Sequence, residues 1–136
     1  MAEKMKEFKR INFFRGFLTT EHDWNAAEAY HVEKRKLHNR YFHGPGLIAD
    51  AMESFKVKAR GRGEMAIEIT PGYAIDGMGN DILLYEPMIR QINVGDFEKL
   101  PAHIYVVAKY IEEPTDYISY KQNPEYKGHR RIAERA

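Results

Sequence analysis

Polar and apolar positions change period twice along the chain. A short apolar segment, Ile11 to Leu18, is broken by Gly16 and reads as an extended arm or short strand. The stretch "TTEHD" then signals a helix start: Thr19 or Thr20 can cap, and Glu21 and Asp23 set negative charge on the first-turn amides. Helix formers run through "WNAAEAYHVEKRKLHNRYF" until Gly44, Pro45 and Gly46 stop the ladder, which predicts a helix over about 20–42. At ~100° per residue, Trp24, Ala27, Tyr30, His31, Lys34, Leu37, His38 and Tyr41 share one face. That face is aromatic and polar rather than aliphatic, which suits an interface better than a monomer core.

Beyond Gly46 the period shortens to two. Phe55 and Val57 alternate with Lys56 and Lys58, and Met65, Ile67 and Ile69 with Ala66, Glu68 and Thr70. Turn signals fall at "GRG", "TPG", "GMGND" and "EP", with strands expected in "DILLYE" and "MIRQINV". "DFEKLP" reads as a short turn or one-turn helix, and "HIYVVAKYIEE" is the longest β-branched and aromatic run. The tail from Pro114 has no clear period, although "RRIAER" could form a last helical turn. These patterns predict one α+β domain: a helix (20–42) packed on an antiparallel β-meander (47–112), with residues 1–10 flexible and 114–136 extended or partly irregular. The meander has few strands for its length, so its edges need cover, and self-association would supply it.

Composition narrows the function. With 136 residues, 43% hydrophobic and 30% charged, the chain suits a single soluble core. A net charge of +1 gives no global attraction to nucleic acid or anionic membrane. Cysteine is absent, removing disulfides, thiol nucleophiles and thiolate metal sites. No apolar run approaches the ~20 residues that span a bilayer, and the charged start lacks a secretory core, so a cytoplasmic protein with no membrane partner is expected.

Candidate chemistry is thin. His31 and His38 lie two turns apart, too far to chelate one ion, and no carboxylate is matched to them or to His43, so neither a metal nor a cofactor is expected. Asp76, Asn80 and Asp81 loosely resemble a calcium loop but lack its further ligands. "GMGND" is more simply a hairpin turn in which Gly77, Gly79 and Asn80 supply positive φ. Ser54 and Ser119 lack nucleophile-elbow glycines, and "EEPTD" reads as a solvated loop with Thr115 or Asp116 capping a turn, so no enzyme is expected. Lys34, Arg35, Lys36, Arg40, Lys56, Lys58, Arg60 and Arg62 could grip nucleic acid, with Tyr41 and Phe42 stacking on bases, but no nucleic-acid-binding motif is present. A docking face of Trp24, Tyr30, His31, Lys34, Leu37, His38 and Tyr41 explains more, since the Lys34 stem can lie on aromatics while its ammonium finds a carboxylate or carbonyl of a neighbouring strand or subunit. Asn39 and Arg40 could satisfy the last helix carbonyls or fix the reversal into "GLIA".

Three stretches carry a resemblance. "FFRGFLTTEHDWNAAEAYHVEKRKLHNRYFHGPGLI", "ITPGYAIDGMGNDILL" and "YVVAKYIEEPTDY" together resemble a family found in gene clusters of contractile phage tails and phage-tail-like injection systems. The shared features are a Tyr-His…Lys-Arg…Leu-His-Asn-Arg…His-Gly helix, a Pro-Gly-x-Ala-Ile-Asp β-unit and a strand ending in Glu-Glu-Pro-Thr-Asp. A departure falls after the helix, where Asp50 or Ala51 replaces a close-packed glycine. The resemblance implies a structural or assembly role and no reaction, and Gly44, Gly46, Pro71, Gly72, Asp76, Gly77 and Gly79 are read as stop, turn and structural residues. It also implies a homo-oligomer, trimer or higher, that joins other tail or baseplate proteins, in the cytoplasm or within a virion or tail-like particle.

Overall fold

The computed structural model describes residues 5–49, 53–61, 65–93, 95, 103–120 and 123–136. Helix α1 (Glu21–His38) passes without a break into a π-helical turn (Asn39–His43). Eight strands follow: β1 (Gly46–Leu47), β2 (Val57–Ala59), β3 (Ala66–Ile69), β4 (Gly72–Ile75), β5 (Asp81–Leu84), β6 (Met88–Gln91), β7 (Ile111–Tyr120) and β8 (Asn123–Arg135). The protein is α+β, with one helix ahead of antiparallel strands distributed over three small sheets, in the orders β1-β4-β5, β2-β3-β6 and β7-β8.

Register explains where the small core sits. Residues directly opposite in an antiparallel pair share a face. In the first sheet that rule aligns Leu47, Ala74 and Ile82; in the second it aligns Val57, Ile69 and Met88. Ala74, Ile82 and Ile69 are the buried apolar residues among those described, and the one buried polar residue is Asn39. Residues 66–69 form the expected strand β3 with Ile69 innermost, but Ala66, Ile67 and Glu68 are alike half-buried and Met65 is exposed, so burial does not follow the alternation read from the sequence.

Several expectations change. The arm before the helix forms no strand: Phe17 N–H donates to the Phe14 carbonyl (3.0 Å) across a turn whose third residue, Gly16, has φ +89°. Positive φ at that turn position is what glycine supplies cheaply. "HIYVVAKYIEE" becomes a paired strand only from Ile111 onward. The helical turn expected in "RRIAER" is strand instead, with Arg135 opposite Ile111 and Ile132 opposite Pro114. A ladder to β7 gives that backbone more hydrogen-bond partners than a single helical turn could. "EEPTD", expected as a solvated loop, lies within β7, where Asp116 takes φ +55° and pairs with Arg131 at 3.4 Å. The turn expected in "DFEKLP", the departure at Asp50 or Ala51, and Arg62 lie outside the described residues.

A candidate docking face and the junction that aims it

Helix α1 starts where its capping residues predict. The Thr20 N–H donates to the Asp23 carboxylate at 3.0 Å, while the Asp23 N–H donates to the Thr20 carbonyl at 3.1 Å. Both ends of the first turn are thereby closed, and Glu21 and Asp23 complement the exposed amides. The Trp24 indole N–H reaches back to Thr19 Oγ1 at 3.0 Å, fixing the entry of the arm.

The predicted face divides in two. Tyr30 and Leu37 are half-buried, whereas Trp24, His31, Lys34, His38 and Tyr41 are exposed. Part of the cover over this face comes from the arm. Phe8 meets the Tyr30 ring edge-on (6.2 Å), and Phe13 stacks on Trp24 (5.1 Å). The Lys34 ammonium lies over both Phe8 (5.4 Å) and Tyr30 (5.7 Å), within reach of both ring faces. His31 packs edge-on against Tyr30, and His38 stacks on Phe42 at 4.9 Å with His43 beside it at 5.1 Å. Those contacts place His38 with His43, and His31 elsewhere along the helix.

The π-helical turn rotates the end of the face. Its closing bond runs from Gly44 N–H to the Asn39 carbonyl at 2.8 Å, one residue longer than an α-turn, and Gly44 stops it at φ +70°. Tyr41 and Phe42, both on this wider turn, are exposed.

Aim is set by a junction between the helix end and the β4–β5 hairpin. Asn39 donates its side-chain amide to the Gly79 carbonyl (2.9 Å) and to Asp81 Oδ1 (3.0 Å). Arg35 Nε meets Asp81 Oδ2 at 2.9 Å, and the Tyr73 hydroxyl also donates to Asp81 Oδ1. Arg40 donates to the Met78 carbonyl at 3.2 Å. The Asp81 side chain, only 12% exposed, thus gathers three donors from the helix and the neighbouring strand. The hydrogen bond to Asp81, aided by burial and by the Asp81 charge, pushes the Tyr73 hydroxyl up to about 12. The side chains of Asn39 and Arg40 therefore serve the hairpin, while the Asn39 backbone N–H bonds the Arg35 and Lys36 carbonyls.

Within the hairpin, Asp76 closes the turn. Its Oδ1 accepts from the Met78 N–H (3.0 Å) and the Asn80 N–H (2.8 Å), and its Oδ2 from the Asn80 side-chain amide (2.9 Å). Burial works in the opposite direction, yet these bonds hold the Asp76 carboxyl below the usual carboxylate range. Gly79 alone of the three expected residues has positive φ, at +87°; Gly77 and Asn80 do not. A side chain at Gly79 would also collide with the Lys36 carbonyl, because the helix end rests directly on the turn. Gly72, after Pro71, is similarly required by close approach: a Cβ there would strike Ser54 Oγ and the Phe55 amide. Ser54 Oγ instead accepts the Tyr73 N–H at 2.9 Å, and Gly46 simply begins β1.

Most of the basic groups are already engaged. Arg35 is paired with Asp81, Arg40 with a carbonyl and Lys36 with Glu33 (4.0 Å). Lys56 and Lys58 both clamp Glu53, at 3.1 and 3.0 Å, and their hydrogen bonds, that from Lys58 first, lower the Glu53 carboxyl from its ordinary value. Among the described residues, no helix is long and apolar enough to cross a membrane. Against models of known protein families and against curated proteins, the chain finds no match.

Proposed function

We propose that this chain is a structural part of a phage-tail-like particle, a baseplate or fibre-attachment component that works by self-association and docking rather than by chemistry. The observation that carries the assembly reading is surface area. The chain exposes 12211 Å². A compact 15.9 kDa monomer is expected to expose about 7,350 Å². The excess of about 4,900 Å² per copy is several times the ~800 Å² that one standard interface covers on each partner. Large exposed side chains contribute to it, among them Leu18, Trp24, Phe42 and Tyr105. Apolar groups exposed on this scale are what neighbouring subunits normally cover.

The tail-like setting rests on the motif resemblance, and the docking role on the exposed half of the helix face. A ring of three or more copies, joined to other tail or baseplate proteins, gives each chain more than one contact. Light scattering coupled to size-exclusion chromatography, at two concentrations and two salt levels, tests the reading. A salt-insensitive mass of three or more chains is the expected result. A monomer at every concentration would overturn it.

A further inference from the structure

Residues 103–110 carry the chain's strongest β pattern, and among the described residues no strand pairs with them. They contain neither Gly nor Pro. Their exposure alternates: Ile104 and Val106 are 44% and 42% exposed, Tyr105 and Val107 91% and 81%. A period of two is the mark of extended chain laid down on one face. Residues 106–109 border an open apolar groove of about 270 Å³ whose other walls include Val57, Ile69, Met88, Leu47 and Leu84. Among the described residues, no backbone hydrogen bond joins 103–109 to another segment. A β-prone segment with open edges is a template for a second strand.

We propose that residues 103–110 pair antiparallel with the same residues of a second copy of this chain, centred on Val107. The pairing rests on the self-association proposed above and names one of its contacts. The occupant follows from area and from register. One helix-face contact of standard size covers ~800 Å² on each partner. That leaves most of the ~4,900 Å² excess over a compact monomer for further contacts between copies. For both copies to keep the same face on their own grooves, opposed residues must have like parity. Centring on Val107 sets Tyr105 opposite Lys109, Val106 opposite Ala108 and Ile104 opposite Tyr110. The ammonium of Lys109 then lies beside a ring and never faces its own copy. Centring on Val106 would instead oppose His103 to Lys109, two basic groups. A two-fold pair also makes the number of copies even, selecting a hexamer over a trimer.

The absence of cysteine makes the test clean, because Val107→Cys introduces the only thiol. Opposed residues in an antiparallel pair have Cα atoms about 4.5–5.5 Å apart, within disulfide reach. Under mild oxidation V107C is expected to form a disulfide dimer roughly a hundredfold faster than the similarly exposed control Tyr85→Cys, since the pair holds its thiols at millimolar effective concentration. Mixed Tyr105→Cys and Lys109→Cys proteins should cross-link to each other faster than either does alone, which fixes the register. The mass of each reduced variant is measured alongside. An oligomer in which V107C links no faster than Y85C overturns the strand pair and leaves self-association standing. A monomer by mass overturns both.

Discussion

The side-chain amide of Asn39, the first residue of the π turn, donates to the carbonyl of Gly79 across 2.9 Å and forty residues of chain. With its second bond, to Asp81, it is the buried polar link between helix and hairpin. A helix end resting on a turn has few apolar contacts to hold it, so hydrogen bonds fix its direction. Truncating Asn39→Ala strands a buried carbonyl and removes a donor from a carboxylate, at a cost of about 2–4 kcal/mol. Urea unfolding at neutral pH should show a midpoint lowered accordingly. An unchanged midpoint would mean that the junction does not hold the helix.

Gly79 and Gly77 sit two residues apart in one turn and should respond oppositely. Gly79 has φ +87° and its missing side chain leaves room for the Lys36 carbonyl. Gly77 has open space around it and no positive φ. Gly79→Ala is expected to cost at least about 2 kcal/mol, through backbone strain and displacement of the helix end. Gly77→Ala should stay within about 0.5 kcal/mol. Thermal or urea unfolding of the two variants in parallel distinguishes them, and equal costs would contradict the close approach.

Alkaline pH should weaken the same junction. The Tyr73 hydroxyl titrates near 10 when free and at about 12 in the fold, where it donates to Asp81. A raised value means that the folded state favours the protonated hydroxyl. Its contribution is therefore complete below pH 10 and disappears as pH rises through 12, amounting to about 2–3 kcal/mol. Tyr73→Phe should abolish that loss between pH 10 and 12, measured as stability against pH by urea titration. Asp76 acts in the opposite sense: its lowered carboxyl stabilises the hairpin above the ordinary carboxylate range, and that stability is lost as pH falls through the lowered value.

How much of this was legible depends on the reach of each interaction. The helix limits could be read from Thr20 and Gly44, because capping and left-handed stops are local chemistry. The hairpin turn could be read from "GMGND", although which glycine required positive φ could not, since the Lys36 carbonyl that crowds Gly79 arrives from elsewhere in the chain. Asn39 looked like a helix-end residue for the same reason: its partners lie forty residues away. The β7–β8 hairpin was hidden by Pro114 and Asp116, which interrupt the alternation, and by the helix formers Ala133, Glu134 and Arg135. In residues 103–110 the β preference was plain, yet a strand forms only where a neighbour offers its edge.

The helix face gives the most direct prediction about assembly. Tyr30, Lys34 and His38 stand along it, the first half-buried against Phe8, the second over both rings, the third stacked on Phe42. None supports the three-residue core of Ile69, Ala74 and Ile82, so removing them should spare the sheets. If each truncation costs association about 1 kcal/mol, as interface aromatics and bases commonly do, the triple variant Tyr30→Ala, Lys34→Ala, His38→Ala loses about 3 kcal/mol. That weakens association roughly a hundredfold. Light scattering at low micromolar concentration should then show smaller species, with the circular dichroism spectrum unchanged. Glu28→Ala, exposed and off the face, should retain the full mass. A triple variant that keeps the full mass with an intact spectrum would move the interface off this face and onto the strand edges alone.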